Sequence, residues 1–138
     1  MKRRGVNHVI DKLAWLHVRD HKLLAARSRG KTSWYVPGGK REPGESDEAA
    51  LVREIAEELS VALVRESIAH VGAFTAQADG KPPGTLVRVT CYRADHVGEI
   101  AAAAEIEAVG WVGLADRERC SPAMQLILDW LAQERWIE

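Results

Sequence analysis

The feature that most limits what this chain can become is the stretch from Pro37 to Ser60, a Pro-Gly-Gly breaker followed by a strongly signalled helix. Trp34-Tyr35-Val36 is β-prone and stops at Pro37-Gly38-Gly39. Gly44 then precedes the helix, and Ser46 can cap it. Asp47 and Glu48 sit where the helix dipole favours negative charge. Ala49, Val52, Ala56 and Leu59 recur at +3, +4 and +3 and form one apolar stripe, so the helix should run from about Ser46 to Leu59.

Strand signals surround this helix. Val6 to Val18 reads as one long or broken strand, and Lys22 to Arg27 as its hairpin partner across Arg19-Asp20-His21. Ile68 to Gln77 and Leu86 to Ala94 read as strands flanking the polar loop Asp79-Gly80-Lys81-Pro82-Pro83-Gly84. Ile106 to Val112 is a further short strand. Ser121-Pro122 opens a second helix, with Ser as cap and Pro at the first helical position. Met124, Ile127, Leu128 and Leu131 share one face of it. Strands before, between and after two helices give an α/β class, with a mixed sheet carrying helices on its faces. At 138 residues the chain suits a single domain, 1–138.

Composition removes several alternatives. A formal net charge of -1 lacks the basic footprint of a nucleic-acid binder. The basic run Lys2-Arg3-Arg4 reads as a solvated tail, and Asp11 and Lys12 interrupt the adjoining segment before a signal-peptide core can form. No apolar run is long enough to span a membrane. Cys91 and Cys120 lie far apart, outside any Cys-x-x-Cys pair, and read as reduced core thiols of a cytoplasmic protein. The five histidines show no metal-ligand spacing and read as surface or strand residues.

Glu54, Glu57 and Glu58 stand at i, i+3 and i+4, so three carboxylates share one helix surface. Like charges so placed oppose one another, and no Lys stands four residues on to relieve them. Hard cations such as Mg²⁺ need clustered oxygen ligands. By spacing alone a solvated acidic face explains the cluster equally well. The flanking residues favour a site: Gly38-Gly39 admits close backbone approach, Glu45 lies near the first turn, and Arg53 can hold a carboxylate in place.

Gly39, five residues, Glu45, seven residues, then Arg53-Glu54-Ile55-Ala56-Glu57-Glu58-Leu59-Ser60-Val61 resembles the Nudix box. One position departs, with Ser60 where the family usually has Gly, which places the helix end in question. A left-handed non-Gly residue there would cost roughly 1 kcal/mol. The resemblance implies an α/β/α sandwich around a mixed central sheet, and metal-dependent hydrolysis of a nucleoside diphosphate linked to another moiety. Among such substrates a nucleoside triphosphate, oxidised or ordinary, ranks first, cleaved to monophosphate plus pyrophosphate. ADP-ribose or another nucleotide sugar is the alternative, as is a nucleotide-binding regulatory module with weak turnover. Glu54, Glu57 and Glu58 would ligate Mg²⁺ or Mn²⁺, with Gly39 and Glu45 completing the metal-site set and Arg53 supporting catalysis. The general base is Glu54 or an acid on a later loop, for which Glu105 and Glu107 are candidates. Arg27, Gly38, Gly39 and Lys40 are the candidate substrate contacts, with Arg29 and Arg88 weaker. Trp34, Tyr35 and Phe74 could stack on a base. The partner implied is a small nucleotide, and a homodimer is admitted, as in many family members.

Overall fold

Apolar residues stand on both faces of the second half of the first strand, and this sets the layers of the molecule. The computed structural model describes residues 8–138, in which strand β1 spans Val9–Trp15. Leu13 and Trp15 pack into one core with Leu51, Ile55 and Leu59, whereas Ala14 joins a second core with Met124, Ile127 and Leu131. Successive strand residues point to opposite faces, so a strand apolar on both belongs between two helical layers. Val6, the expected start of this strand, and the Lys2-Arg3-Arg4 run lie outside the described residues.

The expected first strand breaks after Trp15. A two-residue strand β2 (Val18–Arg19) then pairs with β3 (Lys22–Ser28). Asp20 and His21 form the turn between them at φ 52° and 62°. Positive φ at both central residues matches the twist of a tight hairpin. Next in the chain come β4 (Gly38–Gly39), helix α1 (Asp47–Leu59), β5 (Ala62–Leu63), β6 (Ala69–Gln77), β7 (Leu86–Arg93), β8 (His96–Val97), β9 (Ile106–Val112) and helix α2 (Pro122–Gln133). One sheet runs β4-β1-β7-β6, with β1 parallel to β7 and the other pairs antiparallel. A second runs β2-β3-β9, and β5 pairs with β8. With α1 on one core and α2 on the other, the mixed-sheet sandwich expected from the sequence is the observed architecture.

Two local readings are corrected. Trp34-Tyr35-Val36 is not a strand: Tyr35 bridges Ala26 antiparallel and Trp34 bridges Cys120 parallel, so its partners lie in different directions. The neighbouring breaker is itself paired, with Gly38 opposite Ala14 and Gly39 opposite Leu13. The buried stripe of α1 is also rotated from the expected one. Ala50, Leu51, Ile55 and Leu59 are buried while Ala56 is exposed. Three large side chains at successive +4 steps bury more apolar area than the alanines they displace. His17 departs from an ordinary surface histidine too. It stacks on Trp15 at 4.6 Å, and burial drives its pKa down to about 4. Cys91 and Cys120 are buried free thiols, as expected. Among the described residues, no helix is long and apolar enough to cross a membrane.

Ser46 caps α1 by accepting the Ala49 N–H at 3.1 Å. At the other end Ser60 adopts φ 66° and ψ 20°, the left-handed conformation, and donates its N–H to the Ala56 carbonyl at 3.2 Å. The helix therefore ends at Leu59, with Ser60 accepting the conformational cost. Its Oγ recovers part of that cost by donating to the Ala101 carbonyl at 3.2 Å. Chemical denaturation should rank Gly at or above Ser, and Ser above Val, at position 60. Ser60→Val should lose more than about 1 kcal/mol, because a β-branched residue is a true outlier at positive φ.

Candidate active site

The last turns of α1 and the short strand β4 meet at one mouth of a cleft. β1 fixes β4 by pairing, and β4 in turn lies along the acidic face of the helix. The Gly38 N–H donates to Glu58 Oε1 at 3.1 Å. Gly39 backs onto Glu54 so closely that a Cβ there would overlap the carboxylate. At Gly38, with φ 152°, a Cβ would instead overlap the Leu13 carbonyl on β1.

Arg53 organises the carboxylates. It grips Glu45 in two-point fashion, from Nε at 2.7 Å and Nη2 at 2.8 Å. Its Nη1 donates to Glu54 at 2.9 Å and to Glu57 at 3.0 Å, while Nη2 also reaches the Lys40 carbonyl at 3.0 Å. Glu45 additionally accepts the Glu42 N–H at 2.7 Å. The Arg53 hydrogen bonds, then that backbone N–H, hold the Glu45 carboxyl down at about 2. A bidentate guanidinium–carboxylate pair fixes direction as well as charge, so the loop before the helix is tied to its middle.

Glu58 is the opposite case. It is 3% exposed, and burial together with the adjacent Glu105 pushes its pKa up to about 8. Burial also raises Glu54, against the opposing effect of Arg53. Glu105 arrives from the segment before β9. That segment docks on the end of α1 through Ala101 N–H to Leu59 O and Ala103 N–H to Glu58 O, both at 2.9 Å. These bonds satisfy carbonyls that the helix end leaves free, so the helix C-terminus itself positions the later acid.

The cleft has a volume of about 770 Å³, the size range of small-ligand sites. Gly38, Gly39, Lys40, Glu54, Glu58 and Glu105 line its acidic end, while Ala123, Met124 and Ile127 of α2 line its apolar end. Tyr35 also faces it. Other residues singled out in the sequence lie apart. Arg27 pairs with Glu107 at 2.9 Å and lies over the Trp34 ring, so neither charge joins the cleft lining. Arg29 donates to the Ala104 carbonyl at 3.1 Å, Arg88 pairs with Asp11 at 2.9 Å, and Phe74 packs edge-on to Trp130. Sequence reasoning missed Lys12, which lines the cleft from β1, and Asp79 and Lys81, which reach it from the β6–β7 loop. Lys12 could have been noticed as one of two charges, with Asp11, inside a strand whose other residues are apolar.

The donor set fits a divalent cation. The Gly39 carbonyl and the Glu54, Glu57 and Glu58 carboxylates are hard oxygen donors. Burial raises both Glu54 and Glu58, with neighbouring carboxylates adding to it, and a bound cation would oppose both effects. Among the described residues no three acidic groups converge on one point, since Arg53 draws Glu54 and Glu57 while Glu58 turns to Gly38. Ligation would therefore take Glu57 from Arg53, a small rearrangement for a half-exposed side chain.

An acidic helix docked on a Gly-Gly strand, with lysines about the mouth, is a class of site suited to phosphorylated substrates. Comparison with known proteins gives that class its name. The NUDIX domain model matches residues 9–131, and the chain belongs to this family of hydrolases, which act on nucleoside diphosphate derivatives. It is 30% identical to the CTP pyrophosphohydrolase of Escherichia coli (strain K12) over 118 residues, spanning 83% of this chain and 77% of that protein. It is similar to the crystal structure of a MutT NUDIX hydrolase from Burkholderia pseudomallei at 27% identity and a TM-score of 0.72, covering 88% of this chain and 97% of that one. Its fold also resembles part of a bifunctional NMN adenylyltransferase/ADP ribose pyrophosphatase from Francisella tularensis, complexed with AMP and a Mn ion. There the identity is 23% and the TM-score 0.65, over 96% of this chain and 43% of that one.

Two measurements probe this geometry. Gly39→Ala should displace only the movable end of Glu54, lowering turnover on the order of a hundredfold with little change in melting temperature. Gly38→Ala meets fixed backbone and should lower the melting temperature itself. Separately, Glu58 holds a proton below about 8 when folded but only below its ordinary 4.5 when unfolded. Between those values the folded state binds the extra proton, so stability falls as pH rises through the window. Melting curves in chelator should show this slope in wild type. In Glu58→Gln the slope should flatten, and the variant should melt higher above pH 8.

Proposed function

We propose that this protein cleaves a nucleoside triphosphate to the monophosphate and pyrophosphate, with Mg²⁺ or Mn²⁺ as cofactor. The observation that carries the reading is the Arg53-organised carboxylate set against Gly39, at the mouth of a nucleotide-sized cleft. The likeness to a CTP pyrophosphohydrolase supports a triphosphate in preference to a nucleotide sugar.

The Gly39 carbonyl, Glu54, Glu57 and Glu58 would hold the divalent ion, which when bound neutralises phosphate charge and lowers the pKa of an attacking water. Glu54 would accept the proton of the attacking water as the water oxygen bonds to phosphorus and the α–β anhydride bond breaks, its bridging oxygen leaving on the pyrophosphate or on the nucleoside monophosphate. Partial burial raises the basicity of Glu54 toward the range useful at neutral pH. Glu105, facing Glu58, is the second candidate for the same proton. Lys40, directly after the glycines, supplies positive charge for the phosphates. Arg53 positions Glu45, Glu54 and Glu57 and does not itself line the cleft.

The direct test is product release from triphosphates, oxidised purine triphosphates, ADP-ribose, other nucleotide sugars and dinucleoside polyphosphates, with Mg²⁺, Mn²⁺ and chelator in parallel. Metal-dependent monophosphate and pyrophosphate release from a triphosphate is expected. Preferred cleavage of ADP-ribose would shift the substrate class, and metal-supported binding without turnover would make the protein a nucleotide-binding module. Glu57→Gln should weaken metal binding and cut turnover on the order of a hundredfold or more. Its melting temperature should hold, since Glu57 is half-exposed. Full activity in that variant would overturn the metal assignment.

A further inference from the structure

The cleft is lined by lysines without ion pairs among the described residues, and one of them, Lys12, rises from the central strand β1. Lys12 stands midway along β1, opposite Val89 of β7, with the next residue, Leu13, opposite Gly39. Strand alternation puts it on the same face as Ala14, which packs toward α2. Its ammonium lies within electrostatic reach of Lys40, Glu58, Lys81 and Glu54. Ion pairs among the described residues are made by Arg27, Arg41, Arg53, Arg88, Arg117 and Arg119, which leaves Lys12, like Lys31, Lys40 and Lys81, without one.

Lys12 is exposed, yet its stem runs along the apolar floor of the cleft. Ile10, Val87 and Val89 line the same floor, and lysine heads are strongly hydrated. The surrounding protein, then Lys40, lower its pKa from the usual lysine value, although the side chain remains solvent-accessible. Lys40 and Lys81 line the same cleft from the glycine loop and the β6–β7 loop. Lys31 lines it too, so four lysines share the cleft with Glu54, Glu58, Asp79 and Glu105, and an extended anion there meets several cations at once. A triphosphate chain carries more charge than the diphosphate of a nucleotide sugar and can engage more of these lysines.

We infer that Lys12 is a substrate contact that selects for the polyphosphate chain, its Nζ donating to a non-bridging phosphoryl oxygen. The inference rests on the anhydride hydrolysis proposed above and names the residue that sets its substrate class. Arg53 and the carboxylates organise the reacting end, whereas Lys12 reads how much charge lies beyond it.

The test compares wild type, Lys12→Met and Lys12→Arg. It combines kcat and KM for a nucleoside triphosphate and for ADP-ribose at saturating Mg²⁺ with calorimetric binding of inorganic tripolyphosphate. Lys12→Met should raise the triphosphate KM about tenfold, the order expected for one charge-assisted hydrogen bond. The ADP-ribose KM should move less, kcat should move less than KM, and tripolyphosphate should bind correspondingly more weakly. Lys12→Arg should recover most of the loss. Equal KM shifts on both substrates would overturn the selectivity. Unchanged KM with altered Mg²⁺ affinity would reduce Lys12 to a counter-charge for Glu54 and Glu58, and so overturn the contact. If wild type turns over no substrate, the proposed function fails by itself. The calorimetry still decides on Lys12, because equal affinity in wild type and Lys12→Met, or none in either, refutes it.

Discussion

Carboxylates on consecutive turns of a helix repel, and α1 carries three of them on one surface with a fourth, Glu45, just ahead of its first turn. Arg53 answers that repulsion from within the cluster. Its planar fork takes Glu45 in two-point fashion and still reaches Glu54, Glu57 and the Lys40 carbonyl. One side chain thereby joins the residue after the glycines, the approach to the helix and the helix face. A lysine could not replace it, since a single ammonium lacks the geometry for so many donors. Remaining charge is handled by burial: Glu58 sits against Gly38 and Glu105 at the edge of the core.

The glycines on either side of this arrangement serve different masters. Gly38 is bounded by the backbone of β1, and Gly39 by the carboxylate of Glu54. One is held by the sheet and the other by a carboxylate of the helix, although they are adjacent and read alike in sequence. The same division runs through β1. Leu13 and Trp15 belong to the core under α1, while Lys12 and Ala14 turn to the α2 side and the cleft.

Much of this was legible in the sequence where the signals are local. The cap at Ser46, the breaker before it and the Ser-Pro start of α2 are decided by a few neighbouring residues, and both helices lie where those signals put them. The spacing of Glu45, Arg53, Glu54, Glu57 and Glu58 resembled the Nudix box, and the chain belongs to that family. What failed depends on distant partners. The stripe on α1 was misplaced because alanine and leucine count alike in a periodic pattern, while packing weighs their area. Gly38–Gly39 gave no strand signal because glycine has no β preference, and its pairing comes wholly from β1. Trp34 and Tyr35 had the preference but bridge to two different neighbours. Which cations face the cleft could not be read either. Arg27 and Lys12 both sit in strands, and only long-range register separates the one that pairs with Glu107 from the one that lines the cleft.

The parallel pairing of β1 with β7 also bears on how the molecule comes into being. Asp11 and Arg88, directly opposite in that ladder, are 77 positions apart, and β3 must likewise wait for β9. Contacts of such span close slowly, because a long loop has to be ordered before it is rewarded. During synthesis the segment from Gly39 to Val61 leaves the ribosome well before either partner strand. Its helix can form early, but the strand on which β4 docks settles only when β7 arrives, and Glu105 only with β9. The site is thus among the last parts of the chain to take shape, so a nascent chain can carry the whole motif while still lacking a working centre.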